Sequence, residues 1–212
     1  MSVQQLDPID PLEFKAILDE LKRKPLEINK YRLNVGVGRS QCFGIVSKRS
    51  APPDLSRQSW NRPYLHHLLM EYAKKHVKIP FTSIQVNQQM SCEEHLDKGN
   101  IGTSYIVGFG AYLEGGGLWV AGYSHNIRYR PLLFDGSQMR HKTEVWRGER
   151  FTLVYHTINP RQSFAALMPS LDVYAAFLDA EDGKWKIKNQ STGEIYWRDN
   201  GLPHPLKGRV KS

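Results

Sequence analysis

The 212-residue sequence predicts an α+β fold in which helices buttress one face of a β-sandwich or barrel. Two helix-period apolar stripes come early in the chain, and a series of short β-like runs separated by glycine-rich breaks follows Pro80. The strict βαβ alternation of a doubly wound sheet is missing. A hydrophobic share of 40% with 24% charged residues supports a buried core and excludes disorder for most of the chain.

The first helix is signalled at Asp10, an N-cap followed by Pro11 at the first helical position and by Glu13 three residues after the cap. Phe14, Ile17, Leu18 and Leu21 then make one apolar stripe, Lys15, Lys22 and Arg23 face water, and Pro25 stops the run. Short β-like pieces follow at Tyr31 to Val37 and Cys42 to Val46, and Pro52-Pro53 marks a loop. Leu65, Leu68, Leu69 and Tyr72 predict a second helix that ends by Pro80, with Lys74, Lys75 and Lys78 outward. Strands are then expected at Thr82 to Gln89, Thr103 to Phe109, Leu118 to Gly122, Pro131 to Phe134 and Phe151 to Ile158. Ser170 caps either a short helix through Val173, Tyr174 and Phe177 or the start of a strand. The expected organisation is a single domain over 1–212: a helical and β support region at 1–80, a β core at 81–158, and a C-terminal extension at 159–212 with a basic tail.

No stretch approaches the ~20 apolar residues of a membrane span, and the polar, acidic start is unlike a secretory leader. An intracellular protein is expected, nuclear or cytoplasmic, with no membrane contact and no obligate protein partner. Cys42 and Cys92 form no CxxC pair, which excludes a zinc finger and a disulfide scaffold. Lys and Arg outnumber Asp and Glu by 29 to 21, a net charge of +8 that favours an anionic partner, DNA first. From Lys184 to Ser212 seven basic residues face Glu194 and Asp199, so the tail carries +5 of that charge.

The chemistry concentrates in Asn87 to Gly102. His95 and Asp97 stand two apart, which on an extended strand aims both side chains to one side, where an imidazole and a carboxylate can grip a metal ion. A distant second histidine would complete the facial triad of a non-haem iron(II) site, and His141 is that candidate, with His125 and His156 as competitors. Arg150 and Thr152 share one strand face and suit a dicarboxylate, the guanidinium forking onto a carboxylate to which the hydroxyl also donates. Asn87 and Gln85 face either a cosubstrate or solvent, and Asn100 and Ser104 are candidates to support Asp97. Tyr105, Tyr155, Phe109 and Trp119 are expected in the core, and His66, His67, His76 and His204 on helix surfaces or loops.

Taken together, residues 81–158 resemble the iron(II)/2-oxoglutarate-dependent dioxygenases with a double-stranded β-helix (jelly-roll, cupin-like) core. The resemblance rests on His95-x-Asp97, Asn100-Ile101-Gly102-x-Ser104, the turn Gly115-Gly116-Gly117-Leu118, His141, and Arg150-x-Thr152. It implies that His95, Asp97 and His141 hold iron(II), and the offset from His141 to Arg150 is what ranks His141 above its competitors. It further implies that Arg150 and Thr152, with Asn87, hold 2-oxoglutarate, and that dioxygen oxidises a substrate C–H bond as the cosubstrate decarboxylates. The segment from His95 to Val120 is most similar to TET/JBP-like enzymes, including algal relatives acting on 5-methylcytosine, which implies the methyl group of a DNA pyrimidine (5-methylcytosine or thymine) as substrate.

Candidate phosphate contacts are Arg39, Lys48, Arg49, Arg128, Arg130, Arg140 and the tail lysines, and Trp60, Trp119 or Trp146 could stack on a flipped base. The nine-residue spacing from His141 to Arg150 is closer to prolyl-hydroxylase-like members, so a protein side-chain hydroxylase is the alternative. A third reading is a non-enzymatic basic β-sandwich module in which His95, Asp97 and His141 never meet.

Overall fold

The structure is a computed structural model and describes residues 2–28, 36–47, 51–160, 169, 171, 174–197 and 209–210. In chain order the elements are β1 (Gln4–Gln5), a 3-10 turn (Pro11–Phe14), α1 (Lys15–Arg23), β2 (Gly36–Val46), β3 (Asp54–Leu55), α2 (Arg57–Asn61) and α3 (Pro63–His76). Next come β4 (Ser83–Cys92), β5 (Asn100–Phe109), β6 (Tyr112–Gly115), β7 (Leu118–Val120), β8 (Tyr123–His125) and β9 (Leu132–Phe134). The last are β10 (His141–Thr143), β11 (Trp146–Gly148), β12 (Phe151–Ile158), β13 (Tyr174–Leu178), β14 (Trp185–Asn189), β15 (Ile195–Trp197) and β16 (Arg209–Val210). They divide into two compact units, Met1–Gln41 with Ile79–Asn159, and Cys42–Lys78 with Pro160–Ser212.

The first unit is a double-stranded β-helix. Its larger sheet has the order β1-β9-β5-β12-β4-β2, and a smaller sheet has the order β10-β7-β8. β12 lies between β4 and β5, antiparallel to both, with Thr152 opposite Asn87 and Gly108. Strand alternation then decides what each residue does. Phe151, Leu153 and Tyr155 are buried on one face, whereas Thr152, Val154 and His156 line a cavity on the other. Ile106, Leu118, Val120, Leu132 and Phe134, drawn from both sheets, form the apolar layer between them.

The outer face of the larger sheet is covered by α1. The Phe14 ring stacks on Phe109 at 5.0 Å, Phe109 stacks on Phe151 at 5.4 Å, and Ile17 and Leu21 are buried beside them. Asp10 caps this end as expected, its Oδ1 accepting the Leu12 amide, but the first turn is a 3-10 turn and the α-helix begins only at Lys15. Truncating a ring as deeply buried as Phe14 costs about 3–5 kcal/mol.

In the second unit α3 packs against β13 and β14 of the sheet β13-β14-β15-β16. The Trp185 ring lies 4.9 Å from Tyr64 and 5.0 Å from His67, and Trp60 meets Tyr174 edge-on. α3 stops at His76, before Pro80, because Val77 already has extended backbone. Its stripe faces inward as the periodicity predicts, with Leu65, Leu69 and Tyr72 buried. His66 departs from the expected surface position: its ring is fully buried, and neither ring nitrogen has a hydrogen-bond partner among the described residues. Burial without a partner lowers its pKa from 6.5 to about 4.

The residues around Tyr174 resolve the open choice in favour of a strand, β13, while Ser170 and Val173 lie outside the described residues. Most of Tyr31 to Val37, Lys48, Arg49 and His204 lie outside them too. Among the described residues no helix is long and apolar enough to cross a membrane.

Candidate functional site

His95, Asp97 and His141 converge. Their ligand atoms lie within 4.8 Å of one another, although His141 is remote in sequence. Backbone pairing brings the histidines together: the His95 amide donates to the His141 carbonyl at 3.0 Å, and the His141 amide returns the bond at 3.1 Å. This isolated bridge, rather than the regular strand the spacing suggests, carries His95. The Asp97 amide donates to the Gly136 carbonyl at 2.8 Å, which holds the carboxylate beside both rings.

Each imidazole is held through its Nδ1. His95 Nδ1 donates to the Glu93 carbonyl at 2.7 Å and His141 Nδ1 to the Met139 carbonyl at 2.9 Å. Both Nε2 atoms therefore face Asp97, at 3.7 Å from Oδ1 and 3.5 Å from Oδ2. Two imidazoles and one carboxylate, with the outer nitrogens engaged by carbonyls, form a donor set that fits a divalent iron-type ion and leaves coordination positions open. The premise of the non-enzymatic reading, that the three never meet, does not hold.

The triad opens into a cavity of about 330 Å³ that is also lined by Asn87, Arg150 and Thr152. Arg150 is buried at 2% exposure, and its Nε donates to the Gly116 carbonyl at 3.0 Å. Its guanidinium lies 5.3 Å from the Trp146 ring centre. Burial lowers the Arg150 pKa, an effect the neighbouring Tyr112 partly offsets, and burial pushes the Tyr112 phenol up to about 12. No carboxylate among the described residues pairs with this cation.

Gly116 makes the close approach possible. It has φ +70°, and a Cβ there would stand 2.8 Å from the Tyr112 ring and 3.0 Å from Arg150 Cδ. Gly108 plays a similar part, since a Cβ on it would lie 2.6 Å from the Tyr112 hydroxyl.

Asn87 faces the cavity, not solvent, and its Nδ2 donates to Thr152 Oγ1 at 2.9 Å. Gln85 and Asn100 line the cavity too, whereas Ser104 sits in β5 opposite Phe134. Of the competing histidines, His156 lines the cavity without joining the three converging ligand atoms, and His125 belongs to β8. Tyr105, Tyr155 and Phe109 are in the core as expected. Trp119 is only half-buried, because strand alternation puts it on the face of β7 opposite the buried Leu118 and Val120, where Lys142 lies over its ring at 5.2 Å. Three candidate phosphate contacts are already engaged, Arg39 with the Leu26 carbonyl at 2.7 Å, Arg130 with the Leu6 carbonyl at 3.4 Å and Arg140 with Glu94 at 3.5 Å.

No protein-family model matches the chain, and no curated protein does. Among solved structures it is similar to a Pseudomonas putida prolyl-4-hydroxylase, with 14% identity over 74% of this chain and 92% of that one at a TM-score of 0.44. A Trichoplax adhaerens prolyl hydroxylase, in complex with a hypoxia inducible factor peptide fragment, is similar at 13% identity over 79% and 87% with a TM-score of 0.47. NgTET1 in complex with 5mC DNA is similar at 13% identity over 71% and 70% with a TM-score of 0.46. At these identities the likeness is one of fold.

Tyr112, Gln89, Ser40, Cys92 and Lys98 also belong to the site or its supports, and spacing singled out none of them. Only the signal for Gln89 was present in principle: a polar residue at an interruption of strand alternation. It has φ 51°, and beyond it Met90 and Cys92 face the cavity out of phase with Gln85 and Asn87.

Proposed function

We propose that this protein is an iron(II)/2-oxoglutarate-dependent dioxygenase. His95, Asp97 and His141 hold the iron, and Arg150, Thr152 and Asn87 hold the cosubstrate. The observation that carries this reading is a buried guanidinium without a carboxylate partner among the described residues, in the same cavity as two imidazoles and a carboxylate with converging donor atoms. A buried cation is costly until an anion joins it, so the cavity is built to receive one. When bound, the metal supplies a Lewis-acidic centre with open positions for a keto acid and dioxygen.

The chain's own contribution is to position and to exclude. Arg150 and Thr152 fix the far carboxylate of 2-oxoglutarate, and the two carbonyl-bound imidazoles keep their Nε2 atoms directed inward. Val154, Ile106, Leu118 and Phe134 supply apolar walls that limit water around the reacting C–H bond.

The substrate we propose is the methyl group of a modified pyrimidine in DNA, 5-methylcytosine or thymine. The charge supports an anionic partner: of the net +8, +7 falls on Cys42–Lys78 with Pro160–Ser212, where 15 basic residues face 8 acidic ones. The cavity-bearing unit is nearly neutral, with 14 basic and 13 acidic residues, and this favours a second reading, hydroxylation of a protein side chain.

Succinate release measured with methylated DNA, RNA and peptide substrates, followed by mass spectrometry of nucleosides and peptides, decides between them. DNA-stimulated turnover that falls steeply with salt supports the first reading and peptide-stimulated turnover the second. Absence of 2-oxoglutarate turnover with iron supplied overturns both.

A further inference from the structure

Ser40 stands outside the residues that suggest the cofactor chemistry, on β2 next to β4, and it closes a chain of hydrogen bonds into the cavity. Gln85 Nε2 donates to Ser40 Oγ, Ser40 Oγ donates to Asn87 Oδ1 at 2.8 Å, and Asn87 Nδ2 donates to Thr152 Oγ1 at 2.9 Å. Gln85, Asn87 and Thr152 line the cavity that Arg150 enters.

We infer that Ser40 is a positioning residue: by holding the Asn87 carbonyl it turns the Asn87 amide toward Thr152 and leaves the Thr152 hydroxyl proton free to bond an anion beside Arg150. The inference rests on the proposed binding of 2-oxoglutarate there. A hydroxyl has one proton, and an amide has one donor end and one acceptor end. The chain can therefore run in only two directions. In the one observed, each group passes its donor toward the cavity, and Thr152, already accepting from Asn87, has its proton to give. In the reverse, Thr152 gives its proton to the Asn87 carbonyl and turns only lone pairs toward the ligand. A carboxylate that accepts from Arg150 and Thr152 together favours the first direction, and one that meets Thr152 lone pairs is repelled.

Ser40 favours the first direction because its oxygen already accepts from Gln85 Nε2, which leaves its proton for the Asn87 carbonyl. Without it the amide is free to turn over. The side chain of Arg150 is unaffected, since its Nε bond goes to the Gly116 carbonyl and not to this chain.

The test is calorimetric binding of 2-oxoglutarate to the full-length protein, metal-free and with iron(II) under anaerobic conditions, in a double-mutant cycle of Ser40→Ala and Thr152→Val. Ser40→Ala is expected to weaken binding about three- to tenfold, less than the full value of a hydrogen bond to a charged group because the unheld Asn87 amide still spends part of its time with its donor toward Thr152. In the Thr152→Val background it should change affinity by less than about twofold, because the proton it directs is gone. Asn87→Asp, whose carboxylate accepts from both hydroxyls and captures the Thr152 proton, should weaken binding by more than about tenfold. Ser40→Thr should restore the wild-type affinity.

An equal loss from Ser40→Ala in both backgrounds, or no loss in either, overturns the relay. Thermal midpoints identify a variant that has unfolded, and in that case Ser40→Thr against Asn87→Asp carries the comparison. Arg150→Ala, run alongside, separates the two ideas. If it abolishes binding while the Ser40 series does nothing, the relay alone fails, and if it leaves 2-oxoglutarate binding unchanged, the cosubstrate reading fails first.

Discussion

Gln89 clamps the backbone of Arg150 from both sides. Its side-chain Oε1 accepts the Arg150 amide at 2.8 Å, and its own amide donates to the Arg150 carbonyl at 2.8 Å. The same Oε1 accepts Trp146 Nε1 at 3.2 Å, so the residue whose ring lies against the guanidinium is tied to the same point. Gln89 does this with φ 51°, a conformation that an unbranched polar residue tolerates at modest cost.

Gln89→Ala removes the acceptor for the Arg150 amide and is expected to destabilise the fold by about 1–2 kcal/mol, the cost of leaving a part-buried donor unmet. Urea midpoints of the two proteins check this. An unchanged midpoint would show that solvent replaces the clamp.

Arg150→Met should separate ligand binding from stability. Removing the guanidinium is expected to raise the 2-oxoglutarate dissociation constant by roughly ten- to a hundredfold, since a charge-assisted bond contributes about 1.5–3 kcal/mol. Without ligand the variant should be as stable as the parent or more so, because a buried cation lacking an anion opposes folding. A large loss of ligand-free stability would instead place a structural anion on Arg150.

Alanine at His95, Asp97 or His141 should abolish tight iron(II) binding while leaving the far-ultraviolet circular dichroism of the β-helix intact. Calorimetric titration of the metal into each variant reads this directly. Full retention of affinity in any two of the three would refute the site. The Glu93 and Met139 carbonyls orient the rings through Nδ1, so replacing either neighbour's side chain should have little effect on metal affinity.

His66 predicts an acid-sensitive second unit. Its pKa is about 4 in the fold against 6.5 in the open chain, so between these values the unfolded chain takes up a proton that the folded one refuses. Stability should be unaffected above about pH 6.5 and should fall as pH drops, losing about 3 kcal/mol near pH 4 from this residue. His66→Leu should remove this part of the acid dependence. Denaturation midpoints at pH 7.5, 5.5 and 4.5 would contradict the assignment if both proteins declined in parallel.

Local pattern was enough to read α1, α3 and the main strands of the core, though it gave no sign of α2 and split β2 into two pieces. The stripes of α1 and α3 repeat at helical spacing, and β4, β5 and β12 are runs whose alternating members take opposite faces. Six residues, His95, Asp97, His141, Arg150, Thr152 and Asn87, were singled out by residue type, order and the family resemblance, and all line one cavity. Residue type also indicates a basic partner-seeking chain, though charge counting alone says nothing of how that charge divides between two units.

Tertiary structure decided which residues hold those side chains in place. Ser40, Gln89 and Tyr112 reach the site through sheet neighbours, a bulge and a glycine turn, none of which leaves a period in the sequence. His66 shows the same limit from the other side: helical spacing places it on the helix, but whether that face meets water or β-sheet depends on segments far along the chain. Periodicity reports a residue's face within its own element, whereas burial, tautomer and hydrogen-bond direction are properties of pairs that only the folded chain brings within a few ångströms.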